Sequence, residues 1–226
     1  MEATTVILSV DNITSKARIY REVRRSVIMG RLRPGERLDV DELALHYETS
    51  VTPVRDALQM LSQEGLVTIR PRSGYFVTRI TLKQLRDMLH LRKILEVSAI
   101  EIAVQRINPE TIVELRSVHA GYTGDDDLSY DRYTDENRRF HYLIALASGN
   151  LELAEIIGHL HDRLARFMVL RHAGKSQVIT HASIVDALER HDAEAAKTAL
   201  LDDIDTSQDM ILDGVLEDVA ASWHLD

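Results

Sequence analysis

Several polar side chains in the C-terminal half occupy positions that ought to face a core. His181 is followed by Ile184, Val185 and Leu188 at +3, +4 and +7, which places it on the apolar stripe of a helix. Asp203 lies three after Leu200, four after Ala199 and seven before Met210, again on a stripe. Asn137 and His141 are four apart on one helix face, bordered by Phe140, Ile144 and Ala147. A carboxylate turned toward a core is costly unless it is paired or bound to a cation. Two imidazoles, an amide oxygen and a carboxylate from three facing helices would make a nitrogen–oxygen site for a divalent ion such as Zn²⁺, Ni²⁺ or Mn²⁺. The same residues admit a plainer reading, in which the histidines are satisfied core residues and Asp203 and His181 form a buried pair. Arg92 and Glu96 lie on the stripe running through Leu85, Leu89, Ala99 and Ala103. They make either an ion pair one helical turn apart at the edge of the core, or a place where Arg92 receives an effector carboxylate. His161, among Ile157, Leu164 and Met168, is a candidate to line the same cavity.

A second constellation runs from Ser50 to Leu58. Ser50 is placed to cap a helix, and Thr52 and Pro53 suit its first turn. Val54, Ala57, Leu58 and Leu61 turn inward and leave Arg55 outward. A short helix with an exposed N-terminal end carrying Thr and Arg fits a DNA groove. The competing reading of Arg55 is a solvated charge bonded to Gln59. Asp41 lies near that face, where it would repel phosphate, so a local cap or pair is expected of it.

Around these groups the chain divides. Residues 1–14 read as an arm. Residues 15–79 read as three helices, near 15–29, after a cap at Asp39, and from Ser50 to Gly65, followed by strands at 66–69 and 75–78 joined by the Arg70–Gly74 turn. That is a winged helix-turn-helix. Residues 80–226 read as an all-α antiparallel bundle of about six helices, with Thr81 and Asn108 as caps and a Gly- and Asp-rich loop at 121–129. The fold class is mainly α. The net charge of −9 is unevenly spread: residues 16–80 hold 12 Lys and Arg against 8 Asp and Glu, whereas residues 81–226 hold 15 against 26. A basic module on an acidic remainder suits a DNA reader joined to a regulatory domain. Cysteine is absent, which excludes disulfides and thiolate metal sites. No apolar run spans a bilayer, so no membrane is expected, and the cytoplasm is the expected location.

Gly30 to Leu38, Asp41-Glu42-Leu43-Ala44, the stretch through Leu61, Glu64-Gly65-Leu66-Val67 and Arg72 to Val77 resemble the DNA-binding domain of GntR-family transcription regulators. The resemblance implies base and phosphate contacts at Ser50, Val51, Thr52, Pro53 and Arg55, with Arg72, Ser73 and Gly74 at the wing tip. Val51 stands where the family usually has Arg, so the operator is expected to differ from the common one. Arg92 to Ala103, Asn137 to His141 with Gly149-Asn150, and His181, Ile184, Ala187 and Leu188 with Asp192 and Ala196 resemble the FCD ligand-binding domain of the FadR subfamily. Its members commonly hold a metal with one acidic residue and three histidines. Here those places fall at Asn137, His141, His181 and Asp203, which favours a harder, more weakly held ion or none. The reading that follows is a homodimeric repressor of double-stranded DNA and no enzyme, controlled by a small organic-acid effector for which Arg92, Glu96 and His161 are the candidates by their place on the apolar stripes. The alternatives are a regulator in which the ion is the signal, a metal-dependent hydrolase carrying a DNA-binding module, and an architectural DNA protein without an effector.

Overall fold

The computed structural model describes residues 14–118, 126–169 and 174–222. The expected arm, apart from Thr14, and most of the expected 121–129 loop lie outside them. The chain is mainly α-helical with one small sheet.

Three helices build the first unit: α1 (Ser15–Ile28), α2 (Val40–His46) and α3 (Val51–Gln63). Their apolar faces close on Ile19, Val23, Val27, Val54, Ala57, Leu58 and Leu61. Asp39 caps α2, its carboxylate accepting from the amides of Asp41 and Glu42 at 3.0 and 3.2 Å. Asp39 is thus the cap expected of it, and Asp41 takes part through its backbone amide. Ser50 occupies the cap position of α3 with extended backbone, yet its side chain makes no capping bond. Pro53 removes one of the two possible donors: a capping hydroxyl accepts from the second or third helical amide, and the third is proline, which has none.

The wing has three strands, one more than expected. Strand β1 (Arg37–Leu38), β2 (Val67–Arg70) and β3 (Gly74–Val77) form an antiparallel sheet in the order β1-β3-β2. Arg37 pairs with Phe76 and Leu38 with Tyr75, while Thr68 also faces Phe76. Leu38, Val67 and Val77 are buried on the inner face. Strand side chains alternate, so Arg37, Phe76, Thr68 and Arg70 share the outer one.

The second unit is a bundle of six helices among the described residues: α4 (Leu82–Ala103), α5 (Pro109–Ser117), α6 (Asp127–Ala147), α7 (Leu151–Val169), α8 (Gly174–Glu189) and α9 (Ala193–Ser222). Thr81 and Gln84 form a capping box on α4, and Asn108 caps α5. Asp126 caps α6 through the amides of Leu128 and Ser129, so the helix begins inside the expected loop. Gly149, at φ +81°, turns the chain from α6 into the antiparallel α7. Ile100, Ala103, Phe140, Ile144, Ile184, Leu188, Leu200 and Ile204 form the main core. Ile28, at the end of α1, packs into a second cluster with Leu85, Leu89, Tyr133, Leu160 and Leu164, which ties the two units together.

Candidate functional site

The bundle folds a polar cluster into its middle. Helix α4 brings Arg92 and Glu96, α6 brings Asn137 and His141, α7 His161, α8 His181, and α9 Asp203 and Ser207. None of these residues is more than 3% exposed. Arg92 donates from Nε to Glu96 Oε1 and from Nη1 to Ser207 Oγ, both at 2.8 Å. Its Nη2 lies 3.4 Å from both His141 Nε2 and Asp203 Oδ2. Glu96 also receives His161 Nε2 at 2.8 Å and stands 2.6 Å from His141 Nδ1. His161 Nε2 therefore carries its proton, and Nδ1 is bare to accept from Asn137 Nδ2 at 3.2 Å. That fixes the amide and leaves Asn137 Oδ1 buried without a partner.

The charges follow from this packing. Burial holds His141, His161 and His181 below the ordinary histidine value, so they are neutral lone-pair donors near pH 7. Burial opposes ionisation of Glu96 and Asp203 too, but it is outweighed. His141, Arg92 and His161 hold Glu96 well below the usual carboxylate range. His181, His141 and Arg92 do the same for Asp203.

His141, His181 and Asp203 are brought together, their candidate ligand atoms within 4.8 Å of one another. Asp203 Oδ1 lies 3.4 Å from His181 Nε2, and Oδ2 lies 3.7 Å from His141 Nε2. Ligands at zinc bond lengths of about 2.1 Å in a tetrahedron are separated by about 3.4 Å, close to these two separations, which run to different oxygens of Asp203. Arg92 beside two of the three residues sets a positive charge against an ion there. Glu96, His141 and His161 form a second such trio, but it shares His141, and its His161 Nε2 is spent as a donor to Glu96 Oε1 at 2.8 Å. Asn137, expected as a fourth ligand, is tied to His161 and touches Met168 Sδ at 3.5 Å.

Arg92 lies inside the core and not at its edge. It is fully buried, and its guanidinium is occupied by the chain's own carboxylates. The cavity bounded by Glu96, Ala99, His141, Ile144, Ile157 and Leu200 has no room for a water-sized sphere. Sequence reasoning missed two members of the cluster. Thr180 Oγ1 donates to Asp203 Oδ1 at 2.6 Å, and Ser207 receives Arg92. Ser207 was findable, since it stands four residues after Asp203 on the stripe from Leu200 to Ile211.

Behind the cluster lies a network of ion pairs that joins the two units. Arg24 on α1 meets Asp135 at 2.7 Å, Asp162 at 3.4 Å and Glu64 at 3.5 Å. Arg25 pairs with Asp131, and Arg138 donates to Asp162 at 2.9 Å. Asp135 is two residues from Asn137, and Asp162 adjoins His161. The cluster and the junction thus stand back to back on α6 and α7.

On the first unit, Ser50, Thr52, Arg55, Arg72 and Ser73 are exposed, and Val51, Pro53 and Gly74 are half-buried. Gly74, at φ +103°, allows the sharp wing tip. A groove of about 310 Å³ runs between α3 and the wing, lined by Arg37, Asp39, Asp41, Arg55, Gly74 and Tyr75 among others.

Comparison with known proteins places both units. The family model described as bacterial regulatory proteins, gntR family, matches residues 15–77, and the FCD domain model matches residues 87–206. A Streptomyces ambofaciens protein described as an HTH-type transcriptional regulator in unstable DNA locus is 31% identical over 192 residues, covering 83% of this chain and 80% of that one. The HTH-type transcriptional repressor RspR of Escherichia coli K12 is 26% identical over 188 residues, covering 80% and 82%. The structure is similar to that of E. coli McbR/YncC, with a TM-score of 0.71 at 21% identity over 89% of this chain and 98% of that chain. A GntR regulator from Rhodococcus sp. RHA1 gives 0.68 at 19% identity, over 87% and 97%.

Proposed function

The chain belongs to the gntR family of bacterial regulatory proteins and carries an FCD domain, and from that premise we propose a repressor whose operator affinity is set at the buried cluster. As a member it is a DNA-binding transcription regulator and not an enzyme. Among the described residues no helix is long and apolar enough to cross a membrane.

In this proposal residues 1–14 are an arm, 15–79 read DNA, and 80–226 bind ligand and pair two chains into a homodimer in the cytoplasm. Ser50, Val51, Thr52, Pro53 and Arg55 enter the major groove, and Arg72, Ser73 and Gly74 touch the flanking backbone. Exposure of the polar groups at one end of α3 and at the wing tip supports this. The regulatory ligand is a divalent ion held by His141, His181 and Asp203, with Asn137 at the margin. Such an ion would supply the positive charge that draws two imidazoles and a carboxylate to one centre. Arg92 keeps Glu96 and Asp203 ionised in either state. A small carboxylate metabolite reaches Arg92 only after Glu96 or Asp203 releases it, so it acts on an opened cluster, with Glu96 and His161 beside it.

The observation that carries the proposal is the back-to-back placement of cluster and junction. A shift of α6 or α7 at Asn137 or His161 moves Asp135 or Asp162 against Arg24 and so re-angles α1, on which α3 packs. A ligand alters the equilibrium only by its difference in affinity for the two arrangements. The closed bundle favours one competing reading, a regulator that takes no ligand. The test is to select a binding site from a random duplex library and then compare chelated protein with protein reloaded with Zn²⁺, Ni²⁺ or Mn²⁺. One ion per chain and at least a fivefold change in affinity are expected. Unchanged affinity with each ion, and with a panel of small carboxylic acids, would favour the ligand-free reading.

A further inference from the structure

Arg37 was not among the residues that the sequence singled out, and its surroundings give it work on the DNA-reading face. It sits on β1, the edge strand beside β3, and lines the groove between α3 and the wing together with Arg55 and Gly74. Its side chain is 65% exposed, and its one ion-pair partner among the described residues is Asp39 Oδ2 at 3.8 Å. That contact is longer than a hydrogen bond, and the other oxygen of Asp39 caps α2. Arg70 on the same face is held differently, its guanidinium stacked 4.3 Å from the centre of the Phe76 ring.

The charge of the groove makes Arg37 matter. Asp39 and Asp41 both line it and would repel a phosphate brought alongside Arg55. Arg37 and Arg55 together balance them; without Arg37 the wall beside Arg55 is acidic. A side chain standing beside α3 rather than at its tip meets the backbone that borders the major groove, not the base edges inside it.

We propose that Arg37 is a further DNA-contacting residue, which binds a backbone phosphate next to the major groove entered by α3 and neutralises the acidic wall formed by Asp39 and Asp41. The proposal rests on the DNA-binding function of the first unit. A phosphate contact is independent of sequence, so it can be tested without the operator. The probe is a 30-base-pair random-sequence duplex, whose affinity for the full-length protein is measured by fluorescence anisotropy at several salt concentrations. Each phosphate contact contributes about 0.9 to the slope of log affinity against log salt. Arg37→Ala and Arg37→Gln should each lower affinity severalfold at about 0.1 M salt and flatten the slope by about one. Arg37→Lys should restore most of that slope. Arg116→Ala, which removes an exposed cation paired with Asp186 and Glu189 on the helical unit, should leave both readings unchanged. Wild-type slope and affinity in folded Arg37→Ala and Arg37→Gln would overturn the assignment while leaving the DNA-binding function intact. An equal loss in Arg116→Ala would reduce it to an effect of net charge. Absence of duplex binding by the wild type would instead overturn both the DNA-binding premise and the assignment.

Discussion

On the face proposed to read DNA, Thr52, Arg55 and Arg72 stand exposed on elements made from neighbouring stretches of chain. In the bundle, Arg92, Glu96, His141, His181 and Asp203 are buried and come from four helices, α4, α6, α8 and α9. The exposed charges are hydrated and cost the fold little; their value appears when DNA arrives. The buried charges are desolvated from the moment of folding, so each must be answered by another. One region stores its electrostatics for a partner, and the other spends them on itself. Mutation should therefore damage binding in the first region and stability in the second.

The sharpest test of that contrast is Arg92→Met. It leaves Glu96 and Asp203 buried without their cation, and breaking a buried pair in this way costs about 3–5 kcal/mol. Chemical unfolding followed by circular dichroism would measure it. A loss below about 1 kcal/mol would show that the cluster is not balanced by Arg92.

Acidification should act next, and on the bundle. His141, His161 and His181 are held below the ordinary value by burial. Their contribution to stability is full above the unfolded value of about 6.5 and is lost as pH falls from there toward their lowered folded values. Each can contribute up to about 1.4 kcal/mol per pH unit in that window. Unfolding of chelated protein at pH 7.5, 6.5 and 5.5 should show falling stability, and a flat profile would break the comparison from the bundle's side.

Arg55→Ala should invert the pattern. Discrimination between a selected site and random duplex should fall by about 1–3 kcal/mol, with unfolding unchanged. Retained specificity would remove Arg55 from the reading set.

The smallest effect separates two caps. Thr81 makes a full capping box, whereas Ser50 makes no side-chain capping bond. Thr81→Ala should cost about 1 kcal/mol and Ser50→Ala only a few tenths. Equal costs would mean that Ser50 serves the helix rather than the DNA.

The same contrast explains what the sequence disclosed. The helix-turn-helix was legible because its stripes, turn residues and order are local. Strand β1 was not, since two residues carry no alternation and its pairing is with Phe76 and Tyr75 far along the chain. Helical spacing placed His141, His181 and Asp203 inward, but it could not say that three helices converge. It also set Arg92 at an edge, because a stripe does not reveal that α9 closes over it with Asp203 and Ser207. The junction through Arg24, Asp135 and Asp162 left no local signal at all, as its members are separated by 111 and 138 residues.

The closure of the bundle has a consequence in time. Nothing of water's size fits the cavity beside Glu96 and His141, so whatever the cluster takes up or gives back must await a local opening of the helices. Such openings are rarer than collisions with a dissolved ligand. For a ligand acting at this cluster, as proposed above, the rate of response would be set by the breathing of the protein and not by the arrival of the signal, so a brief pulse would pass unregistered and only a sustained change would be recorded.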